Sequence, residues 1–149
     1  MLLHGAPTDG PSDPAITLRL ATMDDVVDIG HILKAGFGYE PGDVAARLNS
    51  PGEQDTIIEL NGQTVGYVRL TLDDDRGGVY GFVVEPSLQG KGIGRDVLRR
   101  VCVQLREQGA TKVGLEVAVE NERALGLYTS IGFERVTTEE YFRLPGSSA

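Results

Sequence analysis

Val79-Tyr80-Gly81-Phe82-Val83-Val84-Glu85-Pro86-Ser87-Leu88-Gln89-Gly90-Lys91-Gly92-Ile93-Gly94-Arg95 is the stretch on which the fold turns. Its first seven residues are almost wholly apolar, as expected of a strand buried on both faces at the centre of a sheet. Pro86 has no N–H to give to a ladder and closes that strand. A glycine-rich loop follows and opens a helix, because Ile93, Val97, Leu98, Val101 and Leu105 recur on one helical face until Gly109 stops it. Strand, glycine loop and helix together make a general anion site. Glycine lets the backbone approach a ligand, the first N–H groups of the helix lack internal partners, and that helix end carries partial positive charge. Two familiar phosphate loops are excluded. A Walker A loop needs Ser or Thr after Gly-Lys, and Lys91 is followed by Gly92. A dinucleotide fingerprint begun at Gly90 needs glycine where Arg95 stands, and begun at Gly92 it fails again at Val97. A tight turn with no ligand is the plain alternative, although Lys91 and Arg95 add positive charge beside the glycines.

Working outward, Ile16 to Leu20 alternates as a half-buried strand, and Thr22 with Asp24 and Asp25 starts a helix carrying Val26, Ile29, Leu33 and Phe37. A short helix is expected over Asp43 to Leu48. Thr56 to Leu60 and Thr64 to Leu72 flank Asn61-Gly62, the pair that a type I′ hairpin turn requires. Beyond the central helix come a strand at Val113 to Val119, a helix from Asn121 to Ile131, and two strands near Phe133 to Val136 and Tyr141 to Leu144. The order predicts a mixed α/β sheet flanked by helices, with one βαβ crossover at its centre. Met1 to Pro14, with Gly5, Pro7, Gly10, Pro11 and Pro14, lacks periodic hydrophobicity. The expected organisation is a flexible tail over residues 1–15 and a single domain over 16–145.

The 149 residues suit one domain, and no apolar run approaches the roughly 18 residues that span a bilayer. The beginning of the chain shows no basic and apolar leader pattern, and one cysteine, Cys102, leaves no disulfide and no cysteine cluster for a metal. Cytoplasmic is the expected location, with no membrane partner; a homodimer stays open. A net charge of −8, from 22 acidic and 14 basic residues, argues against nucleic acid and is mildly favourable to a cationic amine.

The quoted loop resembles the central motif of the GNAT superfamily of N-acetyltransferases, in which a Q/R-x-x-G-x-G/A loop cradles the pyrophosphate of coenzyme A. The stretch Leu115-Glu116-Val117 through Asn121, Ala124, Leu127-Tyr128 and Gly132-Phe133 resembles that family's second motif. The resemblance covers about Val79 to Glu134. It implies the GNAT fold, acetyl-CoA as co-substrate without a metal, and transfer of acetyl to a primary amine of a small molecule or a peptide N-terminus. It implies binding of the acyl donor by Phe82, Val83, Val84, Gln89, Gly90, Lys91, Gly92, Ile93, Gly94, Arg95, Asn121 and Ala124. It also implies a hydrogen bond from Asn121 to the pantetheine arm, and Tyr128 beside the departing sulfur. Seven residues of helix put Asn121 and Tyr128 on one face, roughly 10 Å apart along the axis.

Each of these residues has a plainer reading. Asn121 can serve as an N-cap, and Tyr128 can pack in a core with Ala124, Leu127 and Ile131. Aligned on the loop, the early-strand glutamate that acts as base in histone-type members falls at Gly78. Glu116, in an otherwise apolar strand, takes the place of the strand glutamate of the ribosomal-protein alanine acetyltransferases; the alternative is that it faces solvent and water serves as the base. Glu85 and Tyr80 are weaker candidates, and His4 and His31 have no partners in the pattern. Cys102 reads as core. A domain that binds acyl-CoA without turnover is the rival function.

Overall fold

The computed structural model describes residues 1–10, 12–37, 42–88, 90–115 and 122–134. In chain order they form β1 (Leu2–His4), β2 (Ile16–Leu20), a 3₁₀ turn at Met23–Asp25, α1 (Val26–Phe37) and the short α2 (Val44–Arg47). Then come β3 (Glu53–Leu60), β4 (Gln63–Asp73), β5 (Arg76–Val84), a 3₁₀ turn at Pro86–Leu88, α3 (Ile93–Glu107), β6 (Lys112–Gly114) and α4 (Glu122–Ile131). The strands form one mixed sheet in the order β1-β6-β5-β4-β3-β2. Among the described residues only β5 and β6 are parallel, joined through α3, so the crossover expected from the sequence is present. The late strands anticipated near residues 135 and 141 lie outside the described residues.

Local chemistry accounts for the element ends. Asn61 and Gly62 take φ of 52° and 82°, closing β3 onto β4 with Leu60 opposite Gln63. Asp43 Oδ1 accepts the Ala46 N–H at 3.1 Å and starts α2. Ahead of α1, Asp25 accepts the Thr22 N–H at 2.8 Å, while Arg19 grips the same carboxylate with two N–H groups at 2.7 and 2.8 Å. That guanidinium holds the Asp25 carboxyl at about 2, well below its ordinary value.

Strand alternation divides the core in two. Ile57, Tyr67 and Val83 pack with Ile29 and Leu33 of α1 and Val44 of α2. Their neighbours Ile58, Val68 and Val84 face the other way, onto Ile93, Val97, Leu98, Val101, Cys102 and Leu105 of α3. Each such buried Val or Leu contributes about 1.5–3 kcal/mol.

Two features depart from the sequence reading. The expected tail begins inside the fold: Met1, Leu2 and Leu3 are only 7%, 3% and 2% exposed. Leu2 sits opposite Gly114 and exchanges backbone hydrogen bonds with Glu134 at 2.9 and 2.8 Å. The following residues are strapped across α3. Arg99 Nε donates to the Thr8 carbonyl at 2.8 Å, Arg100 donates to Asp96 and to the Ile16 carbonyl, and Asp96 accepts the Asp13 N–H at 2.8 Å. A three-residue strand carries no period to detect, and its partners lie far off, 114 positions from the Met1 amine to the Leu115 carbonyl.

The second departure is a β-bulge in β5. Tyr67 pairs with Val83 but Arg69 pairs with Tyr80, so β5 holds one extra residue there. Gly81, with φ of 58°, sits in the bulge. Val79 belongs to the core under α3, whereas a Cβ on Gly81 would meet Tyr67 and Leu33 on the α1 side. The bulge thus shifts the alternation by one, and Phe82 and Val84 return to the α3 side.

Candidate active site

Where β5 ends, the chain passes Pro86–Leu88 and enters the glycine loop. Gly90 and Gly92 both have φ of 83°, a left-handed geometry that strains other residues. Gly92 is the N-cap of α3, and a Cβ built there would meet nothing within 4 Å, so open space lies in front of the helix start. The first bond of the helix is Asp96 N–H to the Gly92 carbonyl at 3.1 Å. Helix geometry therefore leaves the N–H groups of Ile93, Gly94 and Arg95 without intrahelical acceptors.

This loop forms one wall of a cavity of about 630 Å³. Phe82 and Val84 of β5, Gly90, Gly92, Gly94 and Arg95 of the loop and α3, and Arg123, Ala124, Gly126, Leu127 and Tyr128 of α4 surround it. A Cβ on Gly94 would make ordinary contacts with Leu127 at 3.6 Å and Phe82 at 3.9 Å, so Gly94 lies where α3 meets both. Among the described residues, two guanidinium groups and no carboxylate line the space, in a chain of net charge −8. The Tyr128 ring is half-buried against Phe133, with centroids 6.0 Å apart and planes at 58°. Burial raises its phenol above the ordinary value.

The structure brings together eight of the residues picked out in the sequence: Phe82, Val84, Gly90, Gly92, Gly94, Arg95, Ala124 and Tyr128. Two others point elsewhere, and a third, Lys91, does not line the cavity. The Val83 side chain is packed on the opposite face, close enough to α1 that a Cβ on Gly36 would stand 2.6 Å from it. Ile93 is buried in the core beneath α3, and Lys91 is exposed. For Val83 and Ile93 the cause is periodicity: strand and helix turn every second or third side chain away from the cavity, while the backbone stays beside it. Gln89, Glu116 and Asn121 lie outside the described residues. Glu85 and His31 are exposed, and the Cys102 thiol, fully buried, is pushed up to about 12 by desolvation. Tyr80 lies on the α1 side of the sheet, beside Gly78 and away from the cavity. Arg123 and Gly126 line the cavity without having been singled out, and Leu127, quoted above only as part of the second motif, lines it as well. Among the described residues, no group of His, Cys, Asp and Glu could hold a metal ion, and no helix is long and apolar enough to cross a membrane.

The family model described as "Acetyltransferase (GNAT) family" matches residues 27–133. This chain belongs to the GNAT acetyltransferase family. It is 31% identical over 94 residues to an acetyltransferase of Pectobacterium atrosepticum, spanning 63% of this chain and 67% of that protein. The GNAT fold is matched by the ribosomal-protein alanine N-acetyltransferase of Escherichia coli, with a TM-score of 0.74 at 23% identity over 82% of this chain and 79% of that one. The spermidine N-acetyltransferase of Vibrio cholerae, solved with CoA and spermine, gives a TM-score of 0.71 at 21% identity over 84% of each chain. The GNAT relationship makes this chain an acetyltransferase, and its described residues form a six-stranded mixed sheet flanked by helices.

Proposed function

We propose that this acetyltransferase moves an acetyl group from acetyl-CoA to a primary amine of a small molecule or a peptide N-terminus. One observation carries the reading: the glycine loop, the start of α3 and the phenol of Tyr128 open onto the same cavity. The residues present fit such a donor. Open space stands before Gly92, cations flank the loop, and Phe82, Ala124 and Leu127 offer an apolar wall to a pantetheine arm.

The bound donor supplies a thioester, an activated acyl carbon with a thiolate as leaving group. The N–H groups of Ile93, Gly94 and Arg95 hold phosphate oxygens with help from the helix dipole. Backbone along Phe82 and Val84 orients the arm, and the fixed geometry supplies much of the rate. Tyr128 acts chiefly as a hydrogen-bond donor to the sulfur. Its phenol, already near 10 in water and raised further by burial, is a weaker acid than a thiol near 8.5, so it stabilises developing charge without surrendering its proton outright. The amine must shed a proton to attack, and Glu116 or water accepts it; an α-amine near 8 needs less help than a lysine-type amine near 10.4. The likeness in fold to the alanine and spermidine acetyltransferases supports an amine acceptor.

Thiol release with acetyl-CoA across a panel of amines tests this. Turnover on at least one amine is expected, and Tyr128→Phe should lower kcat by about 10- to 100-fold with the donor KM within about threefold. Coenzyme A binding without turnover on any amine would overturn the catalytic reading, and absence of coenzyme A binding would overturn all of it.

A further inference from the structure

Among the described residues two cations line the cavity, and they differ in what holds them. Arg95 Nε donates to Ser130 Oγ at 3.2 Å. Arg123, an exposed residue, makes no hydrogen bond or ion pair among the described residues. It stands in the first turn of α4, where the helix dipole disfavours a positive charge. Its guanidinium nonetheless lies directly over the glycine loop: a Cβ built on Gly90 would be 2.5 Å from Arg123 Nη2. Any side chain at position 90 would displace it.

The geometry points to Arg123 as a specificity residue of the acyl-donor site, gripping a phosphate of the donor from the α4 side while the start of α3 holds the other. An anion placed between them supplies the partner Arg123 lacks and removes the conflict with the helix dipole. The guanidinium fork suits phosphate oxygens, and charge-assisted bonds of this kind are among the stronger ones. This inference rests on the reading of the cavity as an acyl-CoA site. The diphosphate and the ribose 3′-phosphate of coenzyme A share the chemistry, and the experiment separates them.

Calorimetric titration with coenzyme A and with dephospho-coenzyme A, on wild type, Arg123→Ala and Arg123→Lys, is the test, with acetyl-transfer kinetics beside it. Arg123→Ala should weaken coenzyme A binding about tenfold or more and raise the donor KM in step. Arg123→Lys should recover part of the loss, because a point charge replaces the fork. The gap between wild type and Arg123→Ala should narrow as ionic strength rises, since the exposed pair is screened. Equal binding of dephospho-coenzyme A by wild type and Arg123→Ala assigns the 3′-phosphate; a persisting loss assigns the diphosphate. Unchanged affinity of Arg123→Ala for coenzyme A overturns the inference and leaves the proposed function standing. So does a loss that neither lysine nor salt alters, because that marks a structural effect. A wild-type protein that does not bind coenzyme A overturns the proposed function first, and this with it.

Discussion

Replacing Gly81 by alanine tests the feature that aims β5 at the cavity. Gly81 has φ of 58°, and an added Cβ would lie 3.4 Å from Tyr67 and 3.9 Å from Leu33. Those are ordinary contacts, so sterics contribute little and the penalty is left-handed backbone strain, about 1–2 kcal/mol. For a chain of this size that lowers the thermal midpoint by about 2–8 °C. The chain has one escape, which is to iron out the bulge. Straightening β5 shifts its alternation by one residue and turns Phe82 and Val84 toward α1, away from the cavity. Gly81→Ala therefore loses stability, or keeps it and loses affinity for the acyl donor. Urea unfolding read with the donor KM separates the two. A Gly81→Ala protein with both the wild-type unfolding midpoint and the wild-type donor KM would refute the reasoning.

Other outcomes follow from the packing and the charges. Leu3→Ala, at a side chain 2% exposed, should cost about 2–5 kcal/mol in denaturant unfolding, whereas a free tail would cost nothing measurable. Asp25, held at about 2 when folded against 3.8 otherwise, contributes stability that is present above pH 4 and drains as pH falls toward 2. Allowing for the solvent exposure of Arg19, Asp25→Asn should lose about 1 kcal/mol at neutral pH and flatten acid unfolding in that window. Cys102, its thiol at about 12 and fully buried, should resist thiol reagents in the native state and react once denaturant opens the core. The same shift makes stability decline as pH rises above 9, where the unfolded thiol ionises and the folded one does not.

What could be read in advance was what sequence records locally. Asn61-Gly62 encodes a turn within two residues, the face from Ile93 to Leu105 encodes a helix within four turns, and the glycines at 90, 92 and 94 encode a backbone that a ligand can approach. The resemblance to the second motif pointed to Ala124 and Tyr128, and both line the cavity from α4. The bulge at Gly81 escaped because one glycine in an apolar run looks like any other until its partner strand is known. β1 escaped for a related reason: its three residues acquire meaning only opposite Gly114 and Glu134. Arg123 was passed over because nothing in its neighbours reveals that its side chain crosses to Gly90, which is distant in sequence and reached only once α3 and α4 pack side by side.

The α3 helix has almost no idle surface. One side fills the core, another carries Asp96, Arg99 and Arg100 against the N-terminal segment, and its beginning forms the cavity wall; only Arg95, Val103, Arg106 and Glu107 of its fifteen residues are exposed. In a saturation library this helix should tolerate variety at Val103, Arg106 and Glu107 and little elsewhere. The N-terminal segment would then behave as a remote brace, since loss of the Asp96, Arg99 or Arg100 side chain frees its backbone from the helix whose start walls the cavity.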